Sequence, residues 1–262
     1  MSHVVSLDED DEHVNILVYG PSGVGKTVFA GSADRVLFLA PEDDGTISAR
    51  RQGSDALKFK IKHWNDLQKA YDAIQEDFDE LQDNFDWIAI DSLTHMQKIL
   101  MRAILEEAVA ENPARDPDIP AIQDWQVYYN RFTRFVQQFN ELPINTIYTA
   151  LVVAHEDTEG NEFVTPDIQG KGYQMSQTIC SFMTSYGYME AKKVNRKKDG
   201  EFVRDSEGTI LKKTVRQITW EDAGNIRGKD RTDVLAPVTK NKNLQQITDM
   251  INSYETQEEE AA

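Results

Sequence analysis

The feature that most constrains this chain is a glycine-rich segment near its amino terminus, Gly20-Pro21-Ser22-Gly23-Val24-Gly25-Lys26-Thr27. It follows the pattern G-x-x-x-x-G-K-[ST], whose glycines let backbone N–H groups surround phosphate oxygens without obstruction by a Cβ atom. A β-prone run at 14–19 precedes it, and residues 26–30 can begin a helix whose N-terminus attracts anions. A chance glycine-rich turn would lack this strand–loop–helix context. The segment therefore predicts a phosphate-binding loop (P-loop) for a nucleoside triphosphate.

Individual residues of this loop have expected roles. Lys26 is expected to reach the β- and γ-phosphates, and the Thr27 hydroxyl is expected to bind Mg²⁺. ATP and Mg²⁺ are therefore the predicted cofactors. The predicted nucleotide contacts are Gly20, Pro21, Ser22, Gly23, Val24, Gly25, Lys26, Thr27 and Val28.

The charge of the chain is unevenly distributed. The net charge of −17 over 262 residues argues against a nucleic-acid partner, because phosphates attract basic surfaces. Residues 186–218, however, carry nine Lys/Arg and five Asp/Glu, a net of +4, which leaves −21 for the rest. This basic island is either a solvated hairpin or a surface for an anionic partner. The single cysteine and the lack of a long apolar run predict a cytoplasmic protein without a membrane partner.

Alternating strand and helix patterns predict an α/β fold with a mainly parallel sheet flanked by helices. The predicted organisation is a disordered acidic leader (1–13), an ATPase core (14–235) and a C-terminal helix with an acidic tail (236–262). Within the core, residues 186–220 predict a β-ribbon. The apolar stripe of the helix near 122–139 predicts burial rather than a base-stacking platform.

Three further residues are candidates for the chemistry of the loop. Asp91 ends an apolar strand, where it is expected to hold Mg²⁺ through water, although an aspartate here could instead cap the next helix. The residue after it is Ser92, so the general base is expected elsewhere, and Glu42 at the end of strand 36–40 is the candidate. His155 is expected to end the strand 145–154 and to sense the γ-phosphate, provided that this strand lies between those bearing Lys26 and Asp91.

These motifs together resemble the RecA/KaiC-type P-loop ATPases, and most closely a phage branch of RecA-core nucleotide-binding proteins linked to single-strand annealing and recombination. The match covers residues 14–235 and includes the P-loop, Leu39-Ala40-Pro41-Glu42, Ile88-Ala89-Ile90-Asp91-Ser92, Thr149 to His155, Pro166 to Lys171, and Lys229-Asp230-Arg231.

The resemblance implies roles for several positions. A glutamate matching Glu42 is the catalytic base, and a polar residue at the position of His155 is the sensor. A K-x-R element, here Lys229 and Arg231, reaches the γ-phosphate of the neighbouring subunit. The resemblance thus implies a homo-oligomer, either a ring or a filament, with active sites between subunits.

The resemblance also implies single-stranded DNA as a partner, contacted by the loops 112–121 and 156–177. The first loop has one cation, Arg115, so the expected DNA contacts lie elsewhere: Lys171, Tyr173, Lys192, Lys193, Arg196, Lys197 and Lys198. A single-strand-binding protein is a further expected partner, and the host cytoplasm is the expected location for a phage protein.

Two functional hypotheses follow. The first is a RecA-like ATPase for DNA recombination or single-strand annealing, which assembles on single-stranded DNA and is stimulated by it. The alternative is an oligomeric ATPase switch or scaffold that acts on protein partners. A small-molecule phosphotransferase would need an arginine-rich lid over the acceptor, and a K-x-R element after a β-ribbon argues against it.

Overall fold

The computed structural model of the protein describes residues 13–41, 45–76, 84–198 and 200–259. Most of the predicted leader therefore lies outside the described residues. The strands are β1 (Asn15–Tyr19), β2 (Val36–Ala40), β3 (Leu57–Lys60), β4 (Trp87–Ile90), β5 (Asn145–Ala150), β6 (Val152–Glu156), β7 (Glu162–Pro166), β8 (Ser185–Asn195), β9 (Lys197–Lys198), β10 (Glu201–Phe202), β11 (Lys212–Thr219), β12 (Lys229–Asp230) and β13 (Val238–Lys240). The helices are α1 (Lys26–Ala30), α2 (Thr46–Arg51), α3 (Trp64–Glu76), α4 (Leu93–Glu111), α5 (Ile122–Asn140), α6 (Gln174–Ser181) and α7 (Leu244–Glu259).

The main sheet has the strand order β13-β11-β8-β1-β5-β4-β2-β3, and β12 pairs with the start of β8. The strands from β8 to β3 are parallel, whereas β11, β12 and β13 join antiparallel. The prediction of a mainly parallel sheet flanked by helices is confirmed. Strand β5 lies between β1 and β4, so the P-loop strand and the Asp91 strand are separated by one strand.

Both faces of the sheet are covered, because successive strand residues point to opposite sides. Leu17 and Tyr19 of β1 join one apolar cluster, which includes side chains of α3, α4, α5 and α6. Ile16 and Val18 join the other cluster, which includes Phe29 of α1 and side chains of α7. Strands buried on both faces explain the continuous apolar runs of the sequence.

Two predicted elements differ from the structure. The run 145–154 is two strands, β5 and β6, rather than one. Residues 156–177 are not a long loop, since β6 and β7 form a hairpin and α6 begins at Gln174. The ribbon predicted within the core at 186–220 corresponds to β8 to β11, and the first half of β8 pairs with β1 while its second half pairs with β11.

The apolar stripe of α5 is only half buried. Phe132, Val136 and Phe139 are buried as predicted, whereas Trp125 and Tyr129 near the start of the helix are 37% and 39% exposed. The prediction of burial is therefore wrong for the first two turns. No helix in the described ranges has the length and apolarity needed to cross a membrane.

Candidate nucleotide-binding site

The P-loop lies between β1 and α1, at the carboxyl end of the parallel strands. Position 20 requires glycine because β8 passes close to the loop, and a Cβ atom there would overlap the backbone carbonyl of Met189. Gly25 has a φ of 109°, in the left-handed region that favours glycine. A Cβ atom on Gly25 would also lie 2.8 Å from Nε of Arg216. The two glycines that frame the motif are therefore fixed by their surroundings.

Lys26 is buried beneath this loop. Its ammonium group donates hydrogen bonds of 2.8 Å to the carbonyl oxygens of Gly20 and Pro21. Burial lowers the pKa of Lys26 to about 8, and the nearby Asp91 carboxylate offsets part of that effect. Because both acceptors are backbone carbonyls of the loop, the ammonium group can donate to phosphate oxygens in their place when a nucleotide binds.

Asp91 follows β4 and lies next to the adjacent strand. It is nearly buried, and its Oδ1 accepts a hydrogen bond from the hydroxyl of Thr149, a β5 residue that pairs with Val18 of β1. Thr149 therefore links the Asp91 strand to the P-loop strand. In the sequence, Thr149 belongs to a run that resembles other P-loop ATPases, but the sequence assigns no role to its side chain. That role depends on β5 lying between β1 and β4, which is a feature of the folded chain.

A cavity of about 850 Å³ opens over the loop. Its described lining is Ser22, Gly23, Gly25, Lys26, Thr27, Val28, Pro41, Gly45, Ile47, Ser48, Arg51, Gln52, Asp91, Ser92, His95, Leu151 and Arg216. Thr27 and Asp91 offer the hard oxygen ligands that Mg²⁺ prefers beside nucleotide phosphates. The donor set therefore fits ATP and Mg²⁺. Glu42, the predicted base, lies outside the described residues.

Arg216 is a further cation in this cavity, and no sequence motif identifies it as a nucleotide contact. Its Nε donates a 2.9 Å hydrogen bond to the carbonyl of Val24 within the P-loop. Asn241 fixes the backbone of Arg216 through two hydrogen bonds. The Arg216 N–H donates to Oδ1 of Asn241 at 3.0 Å, and the Asn241 N–H donates to the Arg216 carbonyl at 2.7 Å. In the sequence Arg216 is one more charge of the basic island, 192 residues after Val24.

His155 does not lie at the end of the strand beside Asp91. It belongs to β6, where Nε2 is 3.0 Å from the Thr165 hydroxyl and the ring contacts Phe163 and Tyr173. It is not among the described residues that line the cavity. The predicted placement is wrong because β5 ends at Ala150 and the chain then enters a separate hairpin.

Lys229 and Arg231 lie beside the amino-terminal half of β8. Lys229 pairs with Tyr186, and the Arg231 N–H donates to the carbonyl of Thr184. The Arg231 guanidinium also donates to the carbonyl of Ser181 at 2.6 Å. The P-loop adjoins Met189, so about five residues of β8, roughly 16 Å, separate it from Arg231. The structure does not bring these two cations to their own subunit's cavity, and their role at a neighbouring site stays a prediction.

The residues predicted to contact DNA occupy two separate regions. Lys171 and Tyr173 are exposed in the segment before α6, whereas the others are exposed at the outer end of β8 and on β9. Some of the ribbon cations have protein partners: the Lys192 ammonium lies 2.6 Å from the Glu190 carboxylate, and Lys197 lies over the ring of Phe202. Among the described residues, no ion pair or cation–π contact involves the predicted DNA contacts Lys193, Arg196 and Lys198.

Arg115 of the loop 112–121 is also engaged. Its guanidinium pairs with the carboxylate of Asp124, which in addition accepts the backbone N–H of Ala121 at 2.6 Å. The pair therefore fixes the start of α5. The single cation of this loop is committed to a structural contact.

Comparison with known proteins supports the nucleotide site at the level of the family. A search of curated proteins found no similar protein. Residues 12–232 match the family model described as an AAA domain, which covers the P-loop, Asp91 and nearly all of the sheet. This agrees with the prediction of a P-loop ATPase, while the finer RecA/KaiC relationship stays a prediction. The chain belongs to the AAA domain family of P-loop ATPases.

Proposed function

We propose that the protein is a RecA-like ATPase that assembles on single-stranded DNA, hydrolyses ATP with Mg²⁺ between subunits, and promotes annealing or strand exchange. The observation that carries this proposal is a buried hydrogen-bonded connection between the nucleotide site and the segment bearing Lys171 and Tyr173. Such a connection is what an ATPase needs if nucleotide state is to alter a DNA-binding surface.

The connection begins three residues after Asp91, in the first turn of α4. Thr94 and Gln97 are buried, and both donate to the carbonyl of Asp167, at 3.1 and 3.0 Å. Oε1 of Gln97 accepts the N–H of Gln169 at 2.7 Å. A shift of α4 that follows a change at Asp91 would therefore move the segment leading to Lys171.

The surface reached by this connection suits sequence-independent binding of single strands. Tyr173 is 37% exposed and directly precedes α6, and the Tyr129 hydroxyl lies 3.5 Å from Thr178 of that helix. Exposed aromatic rings stack on bases, and Lys171 would neutralise phosphate. Together with Trp125, these side chains supply the aromatic and cationic contacts that single-stranded DNA requires.

The active site would be completed by cations from two sources. Arg216 of the same subunit contacts the P-loop and is placed to approach the nucleotide, whereas Lys229 and Arg231 would serve the neighbour. Cations beside the transferred phosphoryl group stabilise the charge that develops in the transition state. This arrangement makes hydrolysis depend on assembly.

A different observation favours the alternative of an oligomeric switch or scaffold for protein partners. Ile119 and Ile122, just before and at the start of α5, are 66% and 90% exposed, and the exposed Asp118 directly precedes Ile119. An apolar surface among carboxylates is suited to a protein and would repel DNA phosphates. Under this alternative, DNA has no effect on the ATPase.

Nucleotide-dependent DNA binding separates the two functions. We expect a fluorescent oligothymidylate to bind more tightly with a non-hydrolysable ATP analogue than with ADP, as measured by anisotropy. The Lys171→Ala/Tyr173→Ala variant should lose most of this binding. The Lys240→Ala/Lys242→Ala variant, which removes two exposed charges at the β13 edge, should retain it. Equal anisotropy with and without protein would exclude the DNA function and favour the alternative.

A further inference from the structure

A second, smaller cavity adjoins the nucleotide cavity. It has a volume of about 190 Å³, and its described lining is Pro41, Lys62, His63, Trp64, His95, Lys98, Ile99, Arg102, Ala103 and Glu106. Pro41 and His95 line both cavities. Nδ1 of His95 lies 2.9 Å from the hydroxyl of Ser92, the residue after Asp91. The smaller cavity, here called the basic groove, therefore begins at the Asp91 side of the nucleotide site.

The basic groove concentrates positive charge in an acidic protein. Three of its ten described lining residues, Lys62, Lys98 and Arg102, are positively charged at neutral pH, and Glu106 is the acidic one among them. His95, Lys98 and Arg102 follow one another at three- and four-residue steps on α4, so they share one exposed face. Within the described ranges, Lys98 and Arg102 have no ion pair or side-chain hydrogen bond. Like charges at this spacing destabilise a helix unless an anion offsets them.

The opposite wall of the groove is fixed in place. Oδ2 of Asp66 accepts the backbone N–H groups of Lys62 and His63 at 3.0 and 2.9 Å, and the same carboxylate pairs with Lys69. Trp64 packs edge-on against Phe135 of α5, with ring centroids 5.3 Å apart. The carboxylate nearest in sequence therefore holds the loop backbone, and the groove is formed before any ligand binds.

We propose that the basic groove binds the inorganic phosphate released by hydrolysis and conducts it away from the nucleotide site. This proposal builds on the proposed ATPase reaction, in which the oxygen of water bonds to the γ-phosphorus and ADP leaves with the bridging oxygen. A cavity of about 190 Å³ holds a phosphate ion with a few waters, each of which occupies about 30 Å³. Because Pro41 and His95 line both cavities, the groove lies directly beside the Asp91 end of the nucleotide site.

The proposal is tested by phosphate binding to the full chain loaded with Mg-ADP, which requires no turnover. Titration calorimetry with inorganic phosphate should detect binding to the native protein. The Lys98→Ala/Arg102→Ala variant should bind phosphate at least about tenfold more weakly, since charge-assisted hydrogen bonds to phosphate are lost. The Lys240→Ala/Lys242→Ala control removes the same charge from the far edge of the sheet and should bind like the native protein.

Steady-state kinetics provide a second readout. In the Lys98→Ala/Arg102→Ala variant, the inhibition constant of phosphate should rise by the same factor while KM for ATP is unchanged. Absence of phosphate binding to the native protein, or equal affinity in the variant, would overturn the proposal. If the Lys98→Ala/Arg102→Ala variant lost oligonucleotide binding but kept native phosphate binding, the groove would be a DNA-binding surface instead. Phosphate binding by a protein that fails to hydrolyse ATP would refute the ATPase but leave the groove as a phosphate site.

Discussion

The depressed pKa of Lys26 makes nucleotide affinity depend on pH in a way that can be calculated. An ordinary lysine keeps its proton up to about pH 10.4, but burial lowers the pKa of Lys26 to about 8. Only the ammonium form can bind the phosphates, so the apparent Kd for ATP grows by the factor 1 + 10^(pH − pKa). Raising the pH from 7 to 9 should therefore weaken binding about tenfold. A lysine of normal pKa would give almost no change over this range.

Titration calorimetry with a non-hydrolysable ATP analogue at constant Mg²⁺ and ionic strength measures this effect. At pH 8.5, binding should take up about 0.8 proton, seen as a dependence of the heat on buffer ionisation. The matched control is Lys26→Arg, whose guanidinium stays charged throughout and should remove both the pH dependence and the proton uptake. Equal Kd values at pH 7 and pH 9, with no proton uptake, would refute the reasoning.

Three further substitutions test individual contacts. Arg216→Ala removes the guanidinium that donates to the P-loop carbonyl of Val24. We expect kcat/KM for ATP to fall about 10- to 100-fold, which corresponds to the loss of one charge-assisted hydrogen bond. An unchanged kcat/KM would show that this contact does not contribute to catalysis. Gly20→Ala should lower the free energy of unfolding in a urea titration by about 1–3 kcal/mol, because the added Cβ atom would overlap the backbone of β8. The control is Gly45→Ala, where the nearest atom to an added Cβ lies at 3.5 Å, and its free energy of unfolding should be unchanged. If Arg231 acts on the γ-phosphate of the neighbouring subunit, mixing inactive Arg231→Ala and Lys26→Ala subunits should restore part of the ATPase activity. No recovery of activity would show that Arg231 acts within its own subunit.

The P-loop and the main sheet could be predicted from local sequence. The glycine pattern between an apolar strand and a helix start determines the loop, and Asp91 follows an apolar run that became β4. These features depend on residues close together in the chain.

The position of His155 could not be predicted in this way. The run 145–154 contains no glycine, proline or charged residue and gives no internal sign of an end. The strand ends because Leu151 turns to α4, where its N–H donates to the Thr94 hydroxyl at 2.9 Å, and because its carbonyl accepts from Asp167 at 2.7 Å. Both partners are distant in sequence, so the break is set by tertiary contacts.

Arg216 shows the same limitation for the site itself. Its charge counted toward the basic island, whose expected partner was DNA. Its contact with the P-loop depends on β8 lying next to β1 and β11 lying next to β8. Only the strand order brings the ribbon to the nucleotide, and that order is a property of the folded chain.

The proposed function is tested most directly by the rate of ATP hydrolysis of the native protein with Mg²⁺, measured with and without single-stranded DNA. The mass of the assembly is measured in the presence of nucleotide. We expect a Mg²⁺-dependent rate that single-stranded DNA increases, in an assembly larger than one chain. A rate that single-stranded DNA leaves unchanged in an assembled sample would contradict the DNA function. The absence of any hydrolysis in that sample would contradict the proposed ATPase.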